Sequence, residues 1–167
     1  ATIRASAQGI AGVDSLPRVR ALRYREPGFD RAVWGRMCEL GWPALRLAED
    51  KGGIGLGMAE YCALAEELGR GLVPEPLIPA VLTAALLEGE ALEAQLSGDR
   101  LVLPAVLDGV LIPGCTAALM AGATASQVPM AAGAEGFLVI GTGATLLLPR
   151  EGADLAILPS QDGGTLG

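Results

Sequence analysis

Apolar residues recur at helical spacing in the first part of the chain. Residues 29–40 place one set of apolar side chains on a single predicted helix face, namely Phe29, Ala32, Val33, Met37 and Leu40. Asp30 lies in the first turn, where a negative charge suits the helix dipole. Gly41 ends the helix and Pro43 prevents its continuation.

A second helix is predicted from about Met58. Its apolar stripe is Met58, Tyr61, Cys62, Ala65 and Leu68, with Glu60 and Glu67 pointing away. Residues 73–76 then read as an extended connector, because a residue before proline avoids the α region. A third helix follows from about Leu77 to Leu87, and a short one lies near 90–96. Residues 1–98 are therefore predicted to form an all-helical domain.

From residue 100 the pattern changes to short apolar runs bounded by Gly, Pro or Asp. These runs predict strands at residues 101–103, 110–112, 137–140, 144–148 and 155–158. The Gly141-Thr-Gly143 segment fits a hairpin turn between two of them. Residues 99–167 are thus predicted to form a β-domain, and the order of helices before strands gives an α+β fold class.

Residues 40–76 carry a long ordered motif. The segment Leu-Gly-Trp-Pro-Ala-Leu at 40–45 leads into Gly-Gly-Ile-Gly-Leu-Gly at 52–57, and a helical run then ends in Ala-Glu-Glu-Leu-Gly-Arg-Gly-Leu-Val-Pro-Glu-Pro at 65–76. This block resembles the N-terminal helical domain of the acyl-CoA dehydrogenase family of flavoproteins. Residues 128–139 and 147–152 are similar, more weakly, to strands of the family's middle β-domain.

The resemblance implies a fold and an activity. It implies a helical bundle, then part of a β-barrel or sandwich, with the family's third, helical domain absent from this sequence. It also implies FAD as cofactor and α,β-desaturation of an acyl-CoA thioester, with hydride transfer to the flavin in the complete enzyme. An oligomer is expected because the family assembles as dimers or tetramers.

The resemblance also suggests site residues. The family's catalytic carboxylate usually lies in the third domain, so no catalytic residue is assigned. The family's flavin-holding TEP-type motif is replaced by residues 101–110, which share only a proline with it. By alignment alone, the residues expected at a flavin are Gln127, Val128 and Pro129. The expected floor of the acyl pocket is Leu72, Val73 and Pro74, although core packing of Leu72, four residues after Leu68, is the favoured alternative.

Two other motifs are interpreted structurally. The glycines at 53, 55 and 57 lack the spacing and the preceding strand of a dinucleotide fingerprint, so a loop with positive-φ turns is predicted. Glu66 and Glu67 point about 100° apart on a helix and cannot act on one substrate atom together. They are interpreted as a solvated face.

Composition narrows the function classes. The net charge of −7 argues against a nucleic-acid partner. Arginines are concentrated in the first quarter of the chain, and the favoured interpretation there is a solvated helix face rather than a site for a CoA phosphate or an acidic lipid. The chain has no histidine, which excludes His-based metal sites and Ser-His or Cys-His pairs. Three scattered cysteines fit a reduced cytoplasmic compartment. The apolar run at 109–125 is broken by Pro113-Gly114 and predicts buried strands rather than a membrane span.

Two function hypotheses remain open. One is an acyl-CoA dehydrogenase-like flavoprotein, of which this chain supplies the first domain and part of the second, as a divergent enzyme or as a remnant of a longer one. The alternative is a non-catalytic partner subunit of a heteromeric acyl-CoA dehydrogenase, and the missing TEP-type motif favours it. Acyl-CoA is the expected substrate in both.

Overall fold

The computed structural model describes residues 3–12, 15–107, 124–125, 127–141, 144–159 and 165–167. Within these ranges the α-helices are α1 (Ile3–Ala11), α2 (Ser15–Leu22), α3 (Arg31–Glu39), α4 (Met58–Arg70), α5 (Leu77–Ala84) and α6 (Gly89–Ser97). The strands are β1 (Val102–Val106), β2 (Gly136–Gly141), β3 (Ala144–Pro149), β4 (Leu158–Pro159) and β5 (Thr165–Leu166). Helices precede strands, which confirms the α+β fold class.

The strands form two small sheets. The first has the order β1-β2-β3, with β1 parallel to β2 and β2 antiparallel to β3. The second pairs β4 with β5. The antiparallel pairing expected of β2 and β3 is present, whereas residues 142–143 of their connection and the strand predicted at 110–112 lie outside the described residues. The last predicted strand is shorter than expected, because only Leu158–Pro159 pairs.

One apolar core joins the helices to the first sheet. Trp34 and Leu64 from the helices lie in the same buried cluster as Leu103 and Phe137 from the sheet. Arg31 adds a polar link, since it bonds the Glu135 carboxylate just before β2. The domain boundary between residues 98 and 99 stays a prediction. Residues from both sides of it belong to the same buried cluster.

Helix α3 buries a different face from the predicted one. Asp30 is its N-cap, and the carboxylate accepts a hydrogen bond from the Ala32 N–H at 2.8 Å. The buried side chains are Trp34, Met37 and Cys38, whereas Ala32 and Leu40 are exposed. Phe29 is buried, but it precedes the N-cap and is not part of the helix. The helical spacing was counted from Phe29, which lies outside the helix, and the predicted apolar face is therefore rotated from the face that the structure buries.

The glycine loop between α3 and α4 has the predicted structural role. Gly52 and Gly55 adopt positive φ, and Gly41 ends α3 in the left-handed region. Gly53 lies so close to the preceding chain that an added Cβ would be 2.0 Å from the Leu47 carbonyl oxygen. The loop bonds back through Gly55 N–H to Leu47 C=O and Leu56 N–H to Leu45 C=O. This backbone ladder needs no phosphate to hold it.

The outer edge of β1 is occupied by a side chain. The amide oxygen of Gln95 accepts the Val102 N–H at 2.7 Å, and its amide nitrogen donates to the Val102 carbonyl at 3.2 Å. Gln95 is fully buried and also bonds Thr83 at 2.9 Å. The next residue facing the same way is Pro104, which has no N–H. Gln95 thus links α6 and α5 to the sheet.

Helix α5 has apolar side chains on its exposed face as well as on its buried face. Leu77, Ala80, Val81 and Ala84 are buried, while Ile78, Leu82 and, just after the helix, Leu86 are each more than half exposed. These three exposed residues are spaced four apart and share one face. In the described part of the chain, no helix is both long and apolar enough to cross a membrane.

Candidate substrate-binding site

The connector expected at the acyl pocket begins with a backbone reversal at the end of α4. The Val73 N–H bonds the Leu68 carbonyl at 3.0 Å, and the Leu72 N–H bonds the Gly69 carbonyl at 3.1 Å. This is a Schellman motif, in which the residue at the left-handed position is usually glycine. Here that residue is Leu72, with φ of 49°. Gly71, just before it, packs against Ala11 of α1, with room for no Cβ.

Leu72 is 61% exposed, so the expectation that it continues the core stripe of α4 is wrong. The helix ends before the stripe can reach it, and the left-handed backbone turns the side chain outward. Val73 and Pro74 are half-buried. The three residues predicted at the acyl pocket therefore lie together in one connector, with the leucine facing out.

A buried ion pair fixes this connector. The Glu75 carboxylate is fully buried and binds Arg18 of α2 through both oxygens, with one contact at 3.2 Å. The Asp30 N–H also donates to it, at 3.1 Å. Removing one partner of such a pair leaves an uncompensated buried charge, which is strongly unfavourable. Sequence patterning missed both residues, because their pairing joins segments 57 residues apart.

The adjacent carboxylates Glu66 and Glu67 on α4 have a structural role. Arg4 of α1 donates to Glu66 and to Glu67, each at 2.6 Å, and Arg70 bonds both carboxylates as well. The interpretation of Glu67 as solvated is wrong, since the residue is only 8% exposed. Hydrogen bonding to Arg4 lowers the pKa of Glu66. A carboxylate held by two arginines is a poor general base.

The residues expected at a flavin lie in a different part of the chain. Val128 pairs with Gly167 through both backbone groups, at 2.9 and 3.1 Å, and Pro129 bridges Leu166. Pro129 has no N–H, and only the exposed Gln127 offers an amide side chain. The Val128 backbone N–H is therefore already occupied, and Gln127 is the one of the three residues with a side-chain donor for a flavin.

Other reactive groups do not gather into a site within the described ranges. No cluster of three or more candidate metal ligands occurs there. Burial raises the pKa of the Cys38 thiol to about 12, which keeps it protonated and unreactive at neutral pH.

Comparisons with known proteins identify the family. Residues 1–95 match the family model described as "Acyl-CoA dehydrogenase, N-terminal domain". "Acyl-CoA dehydrogenase IpdE2" of Mycobacterium tuberculosis is 32% identical over 117 residues, which cover 66% of this chain and 37% of that relative.

Solved structures share the fold over nearly the whole chain. The "Tcur3481-Tcur3483 steroid ACAD G363A variant" aligns with a TM-score of 0.75 at 23% identity, covering 98% of this chain and 52% of that one. The "ChsE4-ChsE5 complex from Mycobacterium tuberculosis" aligns with a TM-score of 0.66 at 22% identity, covering 95% and 52%. The chain thus spans about half the length of these structures and 37% of the curated relative. It belongs to the acyl-CoA dehydrogenase family.

Proposed function

We propose that this chain forms the N-terminal helical domain (1–98) and part of the middle β-domain (99–167) of a cytoplasmic, oligomeric acyl-CoA dehydrogenase. The complete enzyme desaturates the Cα–Cβ bond of an acyl-CoA thioester, with FAD as its cofactor. The observation that carries the proposal is the family match over residues 1–95. No catalytic residue is assigned to this chain.

The contribution of this chain is to bind the acyl group, with Leu72, Val73 and Pro74 at the pocket floor. The geometry of Leu72 supports this role. A non-glycine residue in the left-handed region costs about 1–2 kcal/mol. Leu72 pays this cost although its side chain is 61% exposed. Neither a backbone preference nor burial in the core therefore explains why a leucine occupies this position. Strain of this kind tends to be retained at binding sites.

The test compares two exposed leucines. Leu72→Gln is expected to weaken acyl-CoA binding about tenfold, since an apolar contact is lost. Leu158→Gln is the matched control, because Leu158 is 62% exposed and lies on β4. Isothermal titration calorimetry with a long-chain acyl-CoA measures both. Equal acyl-CoA affinities in the two variants would show that Leu72 does not contact the acyl group.

The second candidate function is a non-catalytic partner subunit that shapes the acyl pocket of an active homologue, or stabilises that homologue. The backbone pairing of Val128 with Gly167 favours it, because it occupies donors that a flavin would use. Gln127 is exposed, and its amide is the one side-chain donor among the three residues predicted at a flavin.

The visible absorption spectrum separates the two functions. The complete protein to which this chain is proposed to belong is purified, confirmed intact by mass, supplied with excess FAD, freed of unbound flavin and scanned. A flavin band together with acyl-CoA-dependent reduction of a dye acceptor supports the enzyme. Absence of the band, with acyl-CoA binding retained, contradicts a stand-alone enzyme and supports the partner subunit.

A further inference from the structure

The segment that leads into α3 contacts two distant parts of the chain. Residues 27–31, here called the entry segment, contain the N-cap Asp30 and the first helical residue Arg31. The Asp30 N–H donates to the buried Glu75 carboxylate at 3.1 Å. Arg31, the next residue, binds the Glu135 carboxylate. Two neighbouring residues thus hold the end of the connector on one side and the start of β2 on the other.

The contact between the entry segment and the chain before β2 is apolar as well as polar. Arg31 also donates to the Gly133 carbonyl. A Cβ added to Gly133 would lie 2.7 Å from the Cβ of Pro27 and would overlap the ring of Phe29. Phe29 is buried, and the Arg31 guanidinium lies 5.4 Å from the centre of its ring. The two segments therefore touch so closely that no methyl group fits between them.

Glu135 transmits this contact to the first sheet. Its carboxylate also accepts the Leu101 N–H at 2.7 Å. Its backbone N–H donates to the Leu101 carbonyl at 2.9 Å, and its carbonyl accepts the Arg150 N–H at 3.1 Å. Leu101 directly precedes β1, Glu135 directly precedes β2, and Arg150 directly follows β3. Arg31 is therefore bonded to a residue that is itself fixed at one end of all three strands.

The entry segment also lies between the two sets of residues predicted to bind ligands. The connector residues 72–74 directly precede Glu75, which accepts from the entry segment. Residues 127–129, predicted at a flavin, end four positions before Gly133. The Gly133 N–H donates to the Met130 carbonyl at 2.9 Å, so a short turn separates residues 127–129 from the point of contact. A movement of the entry segment relative to Gly133 would change the spacing of the two sets.

We propose that the contact of Arg31 with Gly133 and Glu135 sets the distance between the acyl-binding connector and residues 127–129, and that Arg31 is a positioning residue of the enzyme. The inference rests on the proposed function, which supplies the roles of the connector and of residues 127–129. Hydride transfer needs reacting atoms about 3–3.5 Å apart, and a misplacement of about 1 Å lowers its rate strongly even where binding is kept.

The first experiment measures the distance itself in the complete protein. Nitroxide labels carried on unnatural amino acids replace Leu72 and Gln127, which are both exposed, and pulsed electron paramagnetic resonance gives the distribution of label distances. Gly133→Ala is expected to shift and broaden this distribution, because overpacking forces the backbone to move. Gly35→Ala is the matched control on α3, since its Cβ would meet nothing within 4 Å, and it should leave the distribution unchanged.

The second experiment uses the complete protein without labels and separates rate from affinity. Arg31→Met is expected to lower the rate of flavin reduction at saturating acyl-CoA about tenfold. The acyl-CoA dissociation constant should stay within about twofold, because a tenfold loss needs about 1.4 kcal/mol of lost binding and the connector is still held at Glu75. Arg31→Lys, which keeps the positive charge, should recover part of the rate. Lys51→Met breaks a similarly exposed ion pair, to Glu88 at 3.7 Å, and should keep the full rate.

Three results would overturn the proposal. The first is an unchanged label distance in Gly133→Ala. The second is an Arg31→Met protein that is less stable to urea but reduces flavin at the full rate, since the contact would then have a structural role only. The third is an equal loss of rate in Lys51→Met. An unaltered protein that binds acyl-CoA without reducing flavin contradicts the proposed enzyme instead, and the label distances in Gly133→Ala and Gly35→Ala then decide the spacing role by themselves.

Discussion

Gly53 shows how one missing side chain shapes the loop that joins α3 to α4. A Cβ there would lie 2.0 Å from a backbone oxygen and 2.4 Å from the Cβ of Leu47. These atoms belong to the backbone and the Cβ of Leu47, so no flexible end of a side chain could move away to make room for the added Cβ. The sequence indicated a structural glycine loop, but it did not distinguish this glycine from its neighbours, because close approach of two backbone segments leaves no trace in local spacing.

Gly53→Ala is expected to lower the free energy of unfolding by about 2–3 kcal/mol, through overpacking against backbone. Gly35→Ala is the control with the opposite sign. Gly35 lies inside α3, and an added Cβ would meet nothing within 4 Å, so the change should stabilise the protein by about 0.5–1 kcal/mol. Urea denaturation of both variants measures these differences. A neutral Gly53→Ala would mean that the loop can move away from Leu47.

Helices α3 and α4 show what periodicity can and cannot predict. The end of α3 at Gly41 was predictable, because a left-handed glycine followed by proline is a local signal. The buried faces were partly wrong, since burial depends on distant partners. Glu67 is buried because Arg4 of α1 crosses that side of α4, and nothing near Glu67 in sequence announces an arginine 63 residues away.

The same contact predicts a pH response of the α1–α4 pair. Hydrogen bonding to Arg4, with further attraction from Arg4 and Arg70, lowers the pKa of Glu66 below its ordinary value of 4.5. A carboxylate with a lowered pKa in the folded state contributes stability above that ordinary value and loses it as the pH falls through the folded-state pKa. Stability measured by urea denaturation should therefore decline below about pH 4.5 less steeply in Glu66→Gln than in the unaltered chain.

Identical acid dependence in the two proteins would show that the Glu66 ion pair does not hold α1. Glu90→Gln, on α6, serves as the matched control, since Glu90 makes no ion pair among the described residues. That variant should keep the acid dependence of the unaltered chain.

At the scale of the whole molecule, the two predicted domains share a core. Trp34 from the helices and Phe137 from β2 belong to one buried cluster, and Arg31 is bonded to Glu135 across the predicted boundary. Sequence composition divided the chain correctly into helices and strands. It could not show this common core, because contacts between distant segments are set by three-dimensional packing.

A single cooperative unfolding transition is therefore expected, although a helical and a β part are distinct in sequence. Trp34 and Trp42 are both buried in the helical part, so tryptophan fluorescence follows the helices. The β part can be followed by replacing the buried Phe137 with fluorinated phenylalanine and recording its ¹⁹F signal. Coincident midpoints in urea support one unit, whereas separate midpoints would support independent domains divided near residue 98.

The amide of Gln95 has a consequence for how this protein behaves when concentrated. A bare sheet edge is a template on which another chain can add a strand and begin aggregation. On β1, the Gln95 side chain occupies the donor and the acceptor of Val102, and the next outward position is Pro104, which cannot donate. An intramolecular side chain thus takes the place that a foreign strand would occupy at Val102, so recruitment of another strand is blocked at the start of the β1 edge.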